Sequence, residues 1–116
     1  MDQTEPSELV YAFVRTVPAG RVVTYGQAAA LIDGVILTPR QVGGAMNVCP
    51  PDVPWQRVVG AGGHLPIGKR SLGLKTQQQE LLEAEGVEFL TNGRVDMARF
   101  QWYPDETGVE SPDGLL

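Results

Sequence analysis

At 116 residues the chain has room for one domain around one core, and a hydrophobic fraction of 42% is that of an ordinary globular protein rather than a disordered one. No apolar run is long enough to span a bilayer, and the acidic opening MDQTEPSE is unlike a signal peptide. A single cysteine, Cys49, excludes an internal disulfide framework and suits a cytoplasmic location; with a single histidine, His64, it leaves too few ligands for a structural zinc site.

The net charge of −5 argues against a polyanionic partner, but its distribution argues the other way. Residues 15–75 hold seven Lys and Arg against two Asp, whereas the remainder holds two Arg against twelve acids. Such asymmetry suggests a polyanion-facing side on an otherwise acidic molecule.

Residues 4–17 form the first predicted helix. Leu9, Val10, Phe13, Val14 and Val17 fall on one face at the helical period, Thr4 is placed to cap it, and Pro18-Ala19-Gly20 ends it. Arg21 to Thr24 is a short extended link. Two capping boxes follow. Thr24-Tyr25-Gly26-Gln27 sets Thr at the N-cap and Gln at N3, opening a short helix through Ile32. Thr38-Pro39-Arg40-Gln41 repeats the arrangement with Pro at N1, where its missing N–H costs nothing, and opens a helix running to about Val48. Two short helices joined by Asp33-Gly34 and a brief apolar turn make a helix-turn-helix pattern. The second carries Gly43-Gly44-Ala45, small residues that suit either close entry into a groove or tight helix–helix packing.

Residues 49–74 read as a Pro- and Gly-rich loop interrupted by the apolar stretch Trp55 to Val59. A further helix is predicted over 75–85, with Gly86 as its stop. Val87–Leu90 and Arg94–Ala98 then flank Thr91-Asn92-Gly93, a hairpin signal. The domain is expected to span 1–103, and the acidic tail 104–116 is expected to be disordered. Cys49 lies outside the Val53–Val59 motif and is expected to be a small buried thiol, and His64 an exposed loop residue.

Three segments in order carry a resemblance: Gly20-Arg21-Val22-Val23-Thr24-Tyr25-Gly26, Arg40-Gln41-Val42-Gly43-Gly44-Ala45-Met46, and Val53-Pro54-Trp55-Gln56-Arg57-Val58-Val59. Together, over about residues 5–90, they resemble the C-terminal DNA-binding domain of the O6-alkylguanine-DNA alkyltransferases. The active family reads Pro-Cys-His-Arg-Val in the third segment, where the Cys accepts the alkyl group; this chain reads Pro54-Trp55-Gln56-Arg57-Val58. Trp at the cysteine place is the mark of the alkyltransferase-like proteins, which bind the lesion without transferring it. The chemistry agrees. Transfer needs a thiolate with a base or positive neighbour, an indole is neither nucleophile nor base, and Gln56 cannot take a proton.

The resemblance implies a mostly helical α/β fold, a winged-helix-like helix-turn-helix domain with a small C-terminal β-hairpin. It implies non-enzymatic recognition of O6-alkylguanine in duplex DNA, entry of the second helix into the minor groove, flipping of the nucleotide, and a signal to nucleotide excision repair proteins. No cofactor and no metal are expected, no membrane partner is expected, and the protein is expected to be a monomer. Tyr25, Arg40, Gln41, Gly43, Gly44, Ala45 and Asn47 are the expected DNA contacts. Arg40 is expected to fill the stack left by the flipped base or, in a plainer role, to touch phosphate. The expected lesion pocket is Tyr25, Met46, Trp55, Val59, Arg70 and Ser71, with Arg70 and Ser71 in a lid. Taken without the resemblance, Trp55 also reads as a core residue beside Val58 and Val59. Arg57 and Glu85 are expected to make hydrogen bonds within the domain. Two other functions stay open: an active alkyltransferase using Cys49, and a helix-turn-helix regulator without lesion preference.

Overall fold

A computed structural model describes residues 5–65 and 72–104, apart from the side chain of Leu72. Thr4, Arg70, Ser71 and the tail from residue 105 lie outside the described residues.

Helix α1 (Pro6–Arg15) buries Val10 and Val14 of the predicted face and Tyr11 beside them; Glu5, not Thr4, is its N-cap residue. Strand β1 (Val23–Thr24) leads directly into α2 (Tyr25–Leu31), and α3 (Pro39–Asn47) follows. Both capping boxes form in full. The Thr24 and Thr38 hydroxyls accept from the Gln27 and Gln41 amides, and each Gln side chain accepts from its Thr N–H in return. Four orphan donors are satisfied within eight residues of sequence, which is why these two starts are local properties of the chain.

After α3, a 3-10 turn (Trp55–Arg57) leads into β2 (Val58–Val59). β2 pairs in parallel with β1, Val23 opposite Val58 and Thr24 opposite Val59. Parallel strands need a crossover between them. Here the crossover is the helix pair α2–α3, so the two-residue ladder fixes where the helix-turn-helix leaves the body and where Trp55 returns to it.

A second 3-10 turn (Ala61–Gly63) precedes α4 (Leu72–Ala84). Helix α4 ends on Gly86 at φ +95°, with Val87 N–H reaching the Leu82 carbonyl and Gly86 N–H the Glu83 carbonyl. That is a Schellman closure, and Val87 packs with Leu82 behind it. The predicted hairpin closes through one bridge, Phe89 to Val95. Its second arm departs from expectation: Met97–Phe100 is a short helix, α5. Met97 and Phe100, three apart, both pack on the same core cluster, which a helical turn allows and a strand, with its alternating faces, does not. The chain then runs back along β1, where Gln101 bridges Val22 and Trp102 N–H donates to the Val22 carbonyl.

Two core clusters result. The larger joins α1, α2 and α3 with Val23, Val53 and Val58. The smaller gathers Val22, Val59, Leu65, Leu82, Val87 and Val95. Val58 and Val59 feed opposite clusters, as do Val22 and Val23 at the start of β1, so the tiny sheet is the wall between them. Gly63, at φ +91°, allows the closest approach there: a Cβ would lie 2.7 Å from the Val95 carbonyl oxygen.

Candidate functional site

The site is built around the Trp55–Arg57 turn, which faces two ways. On one side, Gln56 and Arg57 converge on Glu85, just past the end of α4. Arg57 Nε donates to both Glu85 oxygens at 3.1 and 3.2 Å, and Nη2 to Oε2 at 2.9 Å. Gln56 Nε2 donates to Oε2 at 2.9 Å and the Gly20 amide to Oε1 at 3.0 Å. Arg57 Nη1 meanwhile donates to the Val17 carbonyl at 2.8 Å. Burial by itself would raise the Glu85 carboxyl, but the hydrogen bonds from Arg57, Gly20 and Gln56 and the guanidinium charge hold it below the ordinary carboxylate range. Arg57 and Glu85 thus make the hydrogen bonds within the domain expected of them. Gln78, fully buried on α4, braces the same turn: its Nε2 donates to the carbonyls of Gln56 and Val58, both at 3.1 Å. Its Oε1 has no partner among the described residues.

On the other side, half-buried Trp55 looks into an open cleft of about 250 Å³. Met46, Asn47, Cys49, Pro50, Pro51, Leu74 and Gln77 complete its walls. Met46 is buried, whereas Asn47 and Gln77 are exposed, so the cleft is apolar at depth and amide-edged at its mouth. Every one of these wall residues is formally uncharged.

The structure therefore brings Met46 and Trp55 together and adds Asn47 to them. It moves Val59 elsewhere. That residue is fully buried in the smaller core cluster, because it sits one position beyond Val58 on a strand and so points the opposite way. Tyr25 is absent from the cleft walls. It starts α2 and packs toward α3, its ring edge 3.9 Å from where a Cβ on Gly43 would lie; burial pushes its phenol up to about 12, so it stays neutral. Arg70 and Ser71, the expected lid, lie outside the described residues.

Cys49 corrects a second expectation. It is half-buried and lines the cleft, because the chain from Val48 to Trp55 folds back through tight turns, with Val53 N–H on the Pro50 carbonyl and Trp55 N–H on the Val53 carbonyl. Burial pushes its thiol up, away from the thiolate that alkyl acceptance requires. Leu74 and Gln77 were not anticipated. They lie three apart on α4, a helix whose polar run Lys75-Thr76-Gln77-Gln78-Gln79-Glu80 gives no sign of which side faces a ligand. His64 is exposed, its Nδ1 3.0 Å from the Ala61 carbonyl oxygen.

On α3, Arg40 is exposed and among the described residues has no hydrogen-bond or ion-pair partner. Arg15 and Arg57, by contrast, are tied down, to Asp52 and Glu85. Gln41 is exposed, but its Oε1 is engaged in the capping box. Gly44 is open, with nothing within 4 Å of a would-be Cβ. Ala45 is not: it is buried against α1 and its carbonyl accepts from the Tyr11 hydroxyl at 3.2 Å. The small-residue run thus divides, Gly43 and Ala45 packing inward and Gly44 left facing out. Among the described residues no helix is long and apolar enough to cross a membrane, and no cluster of His, Cys, Asp and Glu is placed to hold a metal.

The model of the family described as 6-O-methylguanine DNA methyltransferase, DNA binding domain, matches residues 5–87. The chain belongs to this family, in its alkyltransferase-like branch. Alkyltransferase-like protein 1 of Schizosaccharomyces pombe is 37% identical over 102 residues, covering 82% of this chain and 92% of the relative. A DNA base-flipping protein of Escherichia coli is 39% identical over 95 residues, covering 80% of this chain and 70% of the relative. Among solved structures, S. pombe Atl1 in complex with damaged DNA containing O6-carboxymethylguanine superposes with a TM-score of 0.75 at 34% identity, covering 90% of this chain and all of that one. The mostly helical architecture with its small sheet is that of this family.

Proposed function

We propose that this protein recognises O6-alkylguanine in duplex DNA without repairing it, acting in the cytoplasm as a monomer. The observation that carries the reading is the turn that faces both ways. Where an active transferase would need a thiol and its base, this chain puts Trp55 into a cleft and locks Gln56 onto Glu85. A primary amide whose N–H is committed to a carboxylate neither accepts nor relays a proton. Relatives named for base flipping and for alkyltransferase likeness, one of them bound to damaged DNA, support the same reading.

The mechanism follows from the lesion. An O6 substituent removes the N1 proton of guanine, weakens its pair with cytosine and adds apolar surface. Flipping therefore costs less than for normal guanine, and the extruded base gains contact with the indole face. Arg40, exposed and without a partner among the described residues at the start of α3, is the group available to fill the vacated stack and bond the orphaned base. Tyr25 lies beside α3 to press on the backbone of the target nucleotide. By resemblance, the bound complex is then handed to nucleotide excision repair proteins.

A second reading, Cys49 as alkyl acceptor, is favoured by its position on the cleft wall and opposed by its raised thiol pKa. Two measurements separate the readings. Competition binding between damaged and undamaged duplex of one sequence, at fixed salt because phosphate contacts are salt-sensitive, should favour the damaged strand. Intact mass after incubation with O6-methylguanine duplex should be unchanged; a permanent gain of one methyl mass would assign the protein as an enzyme. Equal binding to both duplexes would leave a helix-turn-helix regulator.

A further inference from the structure

The cleft, of about 250 Å³, has to hold the flipped base together with whatever its O6 carries. Met46 is the buried wall of the cleft, and Leu74 and Gln77 form its α4 wall. A substituent that runs outward past Trp55 meets that wall. Gln77 is exposed there, and among the described residues its carboxamide makes no side-chain hydrogen bond. Asn47 stands on the α3 side of the same mouth in the same condition. An unbonded carboxamide offers two donors and an acceptor, so it can serve a hydroxyl of either polarity.

We propose that Gln77 is a specificity-determining residue: it favours O6 substituents that are long enough to pass Trp55 and end in a neutral hydrogen-bonding group, hydroxyalkyl above alkyl of equal size. The inference rests on the lesion-binding reading above. It concerns a part of the cleft that the three motifs do not include.

The test uses four duplexes of one sequence carrying guanine, O6-methylguanine, O6-(2-hydroxyethyl)guanine or O6-n-propylguanine, the last two differing only by OH against CH3 at the tip. The readout is the ratio of affinities for the hydroxyethyl and propyl duplexes within each protein, so a general loss of binding cancels. A neutral hydrogen bond in a partly desolvated site is worth roughly a three- to tenfold change in that ratio. Gln77→Met keeps the length and helix propensity of Gln and removes its hydrogen bonding, and should lower the ratio by that factor. Gln77→Asn, which retains the amide but withdraws it by one methylene, should lower it less. A ratio that is the same in wild type and Gln77→Met overturns the proposal. Should wild type bind O6-methylguanine no better than guanine, the lesion-binding reading fails, and this inference with it.

Discussion

The two sides of the Trp55–Arg57 turn show how this domain divides its labour. On the Glu85 side, five hydrogen bonds from three residues converge on one carboxylate, and a fourth residue, Gln78, ties the turn's own carbonyls to α4. On the Trp55 side, the cleft's amide side chains, Asn47 and Gln77, have no partners among the described residues. Saturated polar groups fix a geometry, while unsatisfied ones near a cleft are free to bind something else. The saturated side holds the open side in place.

Breaking the saturated side should therefore have the largest effect. Glu85→Ala strips Arg57, Gln56 and the Gly20 amide of a common acceptor in a half-buried site. Removing one partner of such a pair should cost more than the roughly 1 kcal/mol of an exposed pair and up to the about 3–5 kcal/mol of a fully buried one, to be read from the urea midpoint at constant slope. A loss under about 1 kcal/mol, the size of an exposed pair, would mean that Glu85 is not the anchor. The pH dependence has a definite sign. The folded-state carboxyl lies below its unfolded value, so its contribution is complete above the ordinary carboxylate range and is lost as pH falls through the lowered folded value. Wild type should lose stability on acidification below about pH 4, and Glu85→Gln should flatten that part of the profile.

Next in size is Trp55→Ala, which acts on the open side. Loss of an indole contact with a captured base should remove about 2–3 kcal/mol of preference for O6-alkylguanine. Binding to undamaged duplex, carried by α3, should persist. The preference that remains should reflect only the weakened base pair. If damaged and undamaged binding fall together, Trp55 is holding the fold, and the division between the two sides is wrong.

Much of this contrast was legible in the sequence, but unevenly. The capping boxes and the Gly86 stop depend on residues three or four apart, so local chemistry decided them. The third motif pointed to Trp55 in place of a nucleophile and to Arg57 as an intramolecular partner, and the resemblance of the Leu82–Gly86 segment added Glu85. What could not be read was anything that depends on chain return. A parallel ladder of two residues has no pattern of its own. Proximity in sequence placed Val59 with Trp55, but one strand position turns it into the other core. Cys49 looked peripheral until the Val48–Trp55 segment folded back, and nothing in the polar run of α4 marks Gln77 as the residue facing the cleft.

Arg40 extends the comparison to the helix-turn-helix. Its guanidinium is exposed and has no partner among the described residues, where Arg57 is engaged with Glu85 and Val17. If it replaces the flipped base, Arg40→Ala should cost about 2 kcal/mol more on damaged than on undamaged duplex. Competition titrations at one salt concentration read this directly. An equal loss on both would reduce Arg40 to a phosphate contact.

The smallest effect is the most local, and it asks whether the start of α3 is held by its cap alone. Thr38 and Thr24 carry the same capping chemistry in different surroundings. Gln27, the partner of Thr24, also donates to the Trp102 carbonyl and accepts from Gln101 Nε2, so the α2 start is tied to the C-terminal segment. Among the described residues Gln41 has no such second tie: its side-chain bonds are those to Thr38. Loss of a Thr cap costs about 1 kcal/mol in an ordinary helix. Thr38→Ala should cost about that much in denaturant, and it should weaken DNA binding only slightly, because Arg40 two residues later loses its fixed origin rather than its charge. Thr24→Ala, measured beside it, should cost less than Thr38→Ala if the Gln27 network holds the α2 start without the hydroxyl. If Thr24→Ala costs more, the network depends on the cap, and the C-terminal segment is held by α2 rather than holding it.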